Sequence, residues 1–344
     1  MILKQNIGVD VSMDEFEVNL SVLNNEFDKT CLGKKKFANN MAGFENLINW
    51  VEKKKESSIA ESYTLEFTGV YHENLAFFLN ERGKVVHMVI PSKSKKYCES
   101  LSIASKTDKL DAQALSWLGL ERKLKEWEPV SGVFLSMRSL TREREEILKE
   151  KTIISNRLHA ANKKALNPLT TIKRYEARLE MLIAQLEEIE QELKGLIESN
   201  EELKRKMNIV LTIKGVGFIC ATTIIAETNG FAAILNQKQL TSYAGLDVKL
   251  KESGKYKGQS KISKQGNAHI RRILHFPALS AIVYNKQLSN FYDRVNAKKH
   301  KAMIASVGVQ RKLLCQMYAI WKSERVYDPN YEINKYYYRL ENVG

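Results

Sequence analysis

Asn6-Ile7-Gly8-Val9-Asp10-Val11-Ser12 and, shortly after it, Glu15-Phe16-Glu17-Val18-Asn19-Leu20-Ser21-Val22-Leu23 are two runs of alternating character. A period of two is the pattern of a half-buried strand, and the polar residues around Met13-Asp14 between the runs set a hairpin. Reading outward, a third strand is expected over 34–37. An amphipathic helix over 40–55 follows, burying Phe44, Leu47, Ile48 and Val51. Then come a strand at 63–67, a helix at 73–81, a strand at 85–90 and a helix over about 106–123. The order βββαβαβα specifies a mixed sheet with helices packed on it.

Four carboxylates in this region sit where their neighbours do not explain them. Asp10 interrupts an apolar strand, where an acid is costly unless it is paired or holds a cation. Glu66 repeats the oddity at the end of the strand Tyr63-Thr64-Leu65-Glu66-Phe67. Asp108 and Asp111, three apart at the start of a helix, share a face. Asp108 alone reads as a helix cap, and Asp10 or Glu66 as partners of a buried Lys or Arg. Together the four form an oxygen-rich set of the kind hard divalent ions take. Two Mg²⁺ held about 4 Å apart stabilise both the attacking and the leaving oxygen of a phosphodiester. Mn²⁺ is the expected substitute. His72 and His87 stand beside strands as satisfied side chains and receive no role.

Residues 135–206 change character: rich in Glu, Lys, Leu and Ile, with no glycine before Gly195 and a single Pro168. They predict two long helices broken near Asn167-Pro168. Leu179, Leu182, Leu186, Ile189, Leu193, Leu196, Leu203 and Met207 follow heptad spacing, with Asn200 at an a position. Such a seam serves either a second copy of the chain or the helix's own hairpin partner.

The formal charge of +14 lies wholly in the C-terminal part, since residues 206–344 carry 22 basic and 8 acidic side chains. A polyanion is the partner this implies, because Lys and Arg displace counterions from phosphates. A membrane surface would call for an amphipathic helix with a clustered basic flank, which this scattered charge does not form. Eight of the basic residues fall between 249 and 272: Lys249, Lys251, Lys255, Lys257, Lys261, Lys264, Arg271 and Arg272. With Gly254, Gly258 and Gly266 they read as a backbone-accessible loop before a helix at 267–274. Lys214-Gly215-Val216-Gly217 lies between two apolar runs, as in a helix-hairpin-helix turn that meets a phosphate. A plain tight turn has the same pattern. Cys31, Cys98, Cys220 and Cys315 are scattered and read as reduced thiols. No apolar run reaches the length of a membrane span and the N-terminus lacks a signal-peptide layout, so a cytoplasmic protein is expected, nucleoid-associated when acting.

The strings GVDVS, LEFTGVYH and SKTDKLDA resemble the N-terminal domain of the DEDD transposases, the insertion-sequence one-ten family. IKGVGFICATTIIAE and SYAGLDVKLKESGKYKGQSKISKQGNAHIRRIL resemble its C-terminal transposase domain. The likeness covers nearly the whole chain. It implies an α/β RNase H-like domain of the RuvC type over 1–128, coiled-coil helices for dimerisation over 129–206, and a mostly helical basic domain over 207–344. It further implies that Asp10, Glu66, Asp108 and Asp111 hold Mg²⁺ while Ser253 attacks DNA and forms a covalent phosphoserine. Ser260 and Ser263 are its rivals in sequence. A non-coding bridge RNA that pairs with target and donor DNA is implied by the resemblance alone.

The leading expectation is therefore a transposase or site-specific recombinase acting as a homodimer or higher oligomer, without ATP, since no Walker GxxxxGK[ST] occurs. The alternatives are a RuvC-type junction nuclease using metal-activated water, and a nucleic-acid scaffold with structural acids. Tyr336, Tyr337 and Tyr338 suit base stacking or C-terminal packing.

Overall fold

The computed structural model describes residues 1–67, 69–101, 108–249, 252–253, 256–257 and 261–331. Lys251, Lys255, Ser260 and Tyr336–Tyr338 lie outside them. The chain forms two compact units, Met1–Pro129 and Val130–Gly344. No described helix is long and apolar enough to cross a membrane.

In the first unit β1 (Ile2–Val11), β2 (Glu15–Asn24) and β3 (Lys29–Ala38) form an antiparallel meander. After α1 (Met41–Lys54), β4 (Glu61–Glu66) pairs parallel to β1. After α2 (Glu73–Glu81), β5 (Val85–Val89) pairs parallel to β4, giving the order β3-β2-β1-β4-β5. This is the RuvC-type RNase H-like sheet that the sequence predicts. Two helices follow, α3 (Pro91–Ser100) and α4 (Asp108–Glu121), and α3 is an addition to the expected order. Its sequence PSKSKKYCES has no apolar stripe to announce it. Only the proline at its first turn is a helix signal.

The alternation in β1 divides the unit. Ile7, Val9 and Val11, with Tyr63 and Leu65 of β4, share a buried cluster with Phe44, Leu47 and Val51 of α1 and Leu75 and Leu79 of α2. The other face carries α4. Ser116 donates to the Asn6 carbonyl at 2.8 Å, and Asn6 Nδ2 donates to Ser62 Oγ at 2.8 Å. Gly8 is where helix and strand touch: a Cβ there would lie 2.1 Å from the Ala112 carbonyl oxygen and 2.2 Å from the Ser116 nitrogen. Both clashes are with backbone, so neither can be relieved by a rotamer.

In the second unit α5 (Gly132–Lys163) and α6 (Leu169–Glu198) form a long hairpin broken before Pro168. The heptad seam packs within the chain: Leu182, Ile189 and Leu193 are buried in one cluster with Ile147 and Ile154 of α5. Ile197, outside the expected seam, is buried with them, while Leu196 is only partly so. Asn200 is not part of that seam. α6 ends at Glu198, and Asn200 caps α7 (Glu201–Leu211) by accepting from the Leu203 N–H at 3.0 Å. A short polar side chain that can satisfy an orphan helix N–H is a stronger local signal than the heptad register it interrupts.

The remaining elements are α8 (Phe218–Thr228), α9 (Gln237–Tyr243), the short strands β6 (Val248–Lys249), β7 (Glu252–Ser253), β8 (Tyr256–Lys257) and β9 (Lys261–Ile262), then α10 (Ala268–Ile273), α11 (His275–Tyr284), α12 (Lys286–Lys299) and α13 (Ala302–Ser323). Residues 129–206, expected as a separate region, share one core with them: Leu193, Met207, Ile224 and Leu313 belong to a single buried cluster. Between α7 and α8, Gly215 takes φ +100°, and a Cβ there would meet Ala281 of α11 at 2.7 Å.

Replacing Gly8 with Ala should lower unfolding stability by about 2 kcal/mol or more through overpacking. Gly132→Ala, at a position with nothing within 4 Å of the added methyl, is the control that should be near neutral. Urea unfolding followed by circular dichroism measures both.

Candidate active site

The register of the sheet places two of the four acids together. Val9 lies beside Leu65 in the parallel β1/β4 pair, so the next residues, Asp10 and Glu66, end adjacent strands on the same face. Neighbouring strands are about 4.8 Å apart, and paired residues point the same way. Both side chains are half-buried.

α4 brings the other two toward the same end. Gly119 approaches the Asn6 side chain, and Ala112 and Ser116 approach Gly8, so the helix runs antiparallel to β1. One helix residue rises about 1.5 Å against about 3.3 Å for a strand residue. Two strand residues from Gly8 to Asp10 therefore match about four helix residues back from Ala112. That turn contains Asp108 and Asp111. Asp111 is half-buried, whereas the Asp108 side chain lies outside the description.

Glu66 has a neighbour that spacing in the sequence does not reveal. Ser94, buried in α3, donates from Oγ to Glu66 Oε2, and its Oγ also lies 3.0 Å from the Pro91 carbonyl. None of the ion pairs among the described residues includes Glu66, so its recorded hydrogen-bond partner is neutral. A strand-end carboxylate oriented by a hydroxyl keeps its charge available, which fits a hard divalent cation. Among the described residues no three ligands close on one point.

In the second unit, the described residues of the expected basic loop form an arm of short antiparallel pairs. Val248 pairs with Ile262 and Lys249 with Lys261 at its foot, and farther out Glu252 pairs with Lys257 and Ser253 with Tyr256. Ser253 thus takes the last paired position before residues 254–255, and its side chain lies outside the description. Ser263 Oγ donates to Asp247 Oδ1 at the foot, which gives that serine a structural partner. Lys249 and Lys261 stand directly opposite with exposed side chains, a like-charge pair that repels unless an anion intervenes. Lys264 is exposed as well, as are Lys214 and Gly217, whereas Gly215 turns toward α11.

Arg271 and Arg272, expected as phosphate contacts, have partners inside the unit. Arg271 Nη1 donates to the carbonyls of Ala244 (2.7 Å), Gly266 (3.1 Å) and Asn267 (3.1 Å), tying down the end of the arm. Arg272 pairs with Glu145 of α5, which also lies 2.6 Å from His269 Nδ1. The nearby Glu227 escapes sequence reading because it ends an apolar helix and its partner is 85 residues away. Arg142 donates to both its carboxylate oxygens at 2.7 and 3.0 Å, and Asn267 Nδ2 donates to Oε2 at 2.7 Å. Burial alone would raise this carboxyl's pKa. The Arg142 and Asn267 hydrogen bonds and the Arg142 charge outweigh it and hold the carboxyl below the usual carboxylate range.

Comparison with known proteins matches two regions, the first of which runs beyond the first unit and takes in α5. A family model described as a transposase, of the DEDD type, matches residues 7–167, and a second, the transposase IS116/IS110/IS902 family, matches residues 207–293. The chain is 26% identical over 333 residues to the pilin gene-inverting protein of Moraxella bovis, covering 94% of this chain and 98% of that one. It is 22% identical over 219 residues to the transposase for insertion sequence element IS1111A of Coxiella burnetii, with 56% and 58% covered. A structure of T. thermophilus RuvC in complex with Holliday junction substrate aligns with 36% of this chain and 99% of that one, at 8% identity and a TM-score of 0.29. An RNase H-like sheet ending in carboxylates, joined to a helical basic unit and matched by both models, defines a transposase. The chain belongs to the IS116/IS110/IS902 transposase family, as the strings in its sequence lead one to expect. The DEDD domain of that family implies metal-dependent catalysis.

Two outcomes follow. Ser94→Ala should raise the Mg²⁺ concentration needed for half-maximal DNA cleavage by about tenfold, as loss of an outer-shell partner does. Glu227, with its pKa depressed in the folded state, contributes stability that is complete above the unfolded carboxylate value of about 4.3 and lost as pH falls through the folded value. The melting temperature of the wild type should accordingly drop more steeply below pH 4.3 than that of Glu227→Gln, by differential scanning calorimetry.

Proposed function

We propose that the chain is a DNA recombinase that cuts and rejoins strands through a phosphoserine on Ser253. Asp10, Glu66, Asp108 and Asp111 would hold two Mg²⁺, which, when bound, stabilise the charge that gathers on the phosphoryl oxygens. Ser253 Oγ loses its proton and bonds to phosphorus while one DNA P–O bond breaks, leaving a free hydroxyl on one strand end. A hydroxyl of the incoming strand then bonds to the same phosphorus and releases serine. Each step exchanges one P–O bond for another, so strand exchange needs no ATP.

The observation that carries this reading is the paired strand-end carboxylates, one oriented by a neutral hydroxyl, in a chain of a transposase family. The serine sits on an arm with opposed lysines at its foot, where a phosphate would relieve their repulsion. A near-full-length relative named for gene inversion supports rejoining as well as cutting, since inversion reseals every strand it opens. The proposal includes DNA ends as donor and target, a bridge RNA that supplies the sequence choice, and a dimer that assembles further on DNA.

Full-length protein mixed with Mg²⁺, DNA from the flanks of its gene and RNA transcribed from those flanks should give a protein–DNA adduct on denaturing gels. Ser253→Ala and Asp10→Asn should each abolish it. Full cleavage by Ser253→Ala would replace the phosphoserine with a water-using nuclease, and activity surviving loss of both Asp10 and Glu66 would leave the acids structural.

A further inference from the structure

The sheet end that carries Asp10 and Glu66 is rimmed by large apolar side chains that the cores do not take up. Met13 in the β1–β2 turn is 60% exposed, Ile90 after β5 is 55%, and after β4 Phe67, Val70 and Tyr71 are 40%, 66% and 42%. Asn39 clasps two of these connections, its Nδ2 lying 2.9 Å from the Ser12 carbonyl, 3.3 Å from that of Met13 and 3.1 Å from that of Tyr71. Tyr71 is thereby held beside the end of the strand that bears Asp10. Phe67 directly follows Glu66, donates its N–H to the Val89 carbonyl at 2.9 Å, and sets its ring edge-on to His72 at 5.3 Å. Single exposed apolar residues are ordinary, but a group gathered around a charged site marks an interaction.

The chemistry of the neighbouring site narrows what that partner is. A phosphodiester brought to the carboxylates carries a base on each side, and successive bases of a strand lie about 3.4 Å apart along the helix. The rim is therefore within reach of the nucleotides that flank the phosphate. In a paired duplex those bases are stacked and offer only their edges, whereas an unpaired base exposes a face that aromatic side chains bind. A protein seated on the rim would cover the carboxylates along with it and keep the phosphate out.

We infer that Tyr71 and Phe67, with Met13, Val70 and Ile90 around them, form a stacking site for an unpaired nucleobase beside the scissile phosphate. This rests on the reading of Asp10 and Glu66 as a phosphoryl-transfer site. Its consequence is a substrate class: DNA whose strands are locally separated where it is cut, rather than continuous duplex.

The test uses the full chain, Ca²⁺ in place of Mg²⁺ so that the probes stay whole, and two short duplexes carrying 2-aminopurine, one paired and one with that base bulged out. The bulged probe should bind about tenfold more tightly, with its fluorescence quenched, as base–aromatic stacking provides. Tyr71→Ala should lose the difference and Tyr71→Phe should retain it, which a merely structural role for the side chain would not do. Equal affinity for both probes overturns the inference, and so does a preference unchanged in Tyr71→Ala and Phe67→Ala. A change in sedimentation mass in those variants, with base preference intact, assigns the rim to protein contact and overturns it too. A negative result leaves adduct formation by Ser253 untouched, and absence of the adduct leaves the base preference standing.

Discussion

The contact on which the catalytic unit depends is the approach of α4 to β1 at Gly8, where helix backbone occupies the space that a side chain would fill. It fixes the helix along the strand to within a fraction of a turn, because Ser116 is bonded to the Asn6 carbonyl on one side and Gly119 is pressed against the Asn6 side chain on the other. The turn holding Asp108 and Asp111 is thereby set at the level of Asp10. A Cβ at Gly8 would lift the helix and separate the two halves of the carboxylate set, although none of those carboxylates would have changed.

Parallel pairing is the second part of the same constraint. With β4 in register so that Leu65 sits beside Val9, the following acids end side by side on the face away from α1 and α2. A shift of one residue would send Glu66 toward the apolar core, where an ionised carboxylate without a partner is too costly to keep. The alternation Tyr63-Thr64-Leu65-Glu66 thus specifies both the core and the site. Tyr63 and Leu65 bury completely, and Glu66 takes the opposite face by default.

That is why so much of this unit is legible in the sequence. The β1–β2 hairpin, the α1 stripe, α2 over 73–81 and the acid spacing are all local patterns, and local patterns survive folding. Unreadable parts depend on distant partners. Ser94 belongs to a polar helix with no stripe, and its partner Glu66 lies 28 residues back. Glu227 looks like the end of an apolar helix until Arg142 arrives from α5. Asn200 shows two local rules in competition, where capping wins because it satisfies a backbone group that the heptad would leave exposed. The charge excess of the C-terminal residues says that a polyanion binds, yet it does not say which cations meet it. Arg271 and Arg272 hold the foot of the arm and α10 to the rest of the unit, while Lys249 and Lys261 remain turned outward.

Charge is divided along the chain in a way the composition already states. Residues 1–205 balance, and within them two carboxylates end adjacent strands on one face; residues 206–344 hold the whole excess of +14. Clustered carboxylates repel a phosphate, and the opposed Lys249 and Lys261 repel each other. Metal ions relieve the first and nucleic acid the second.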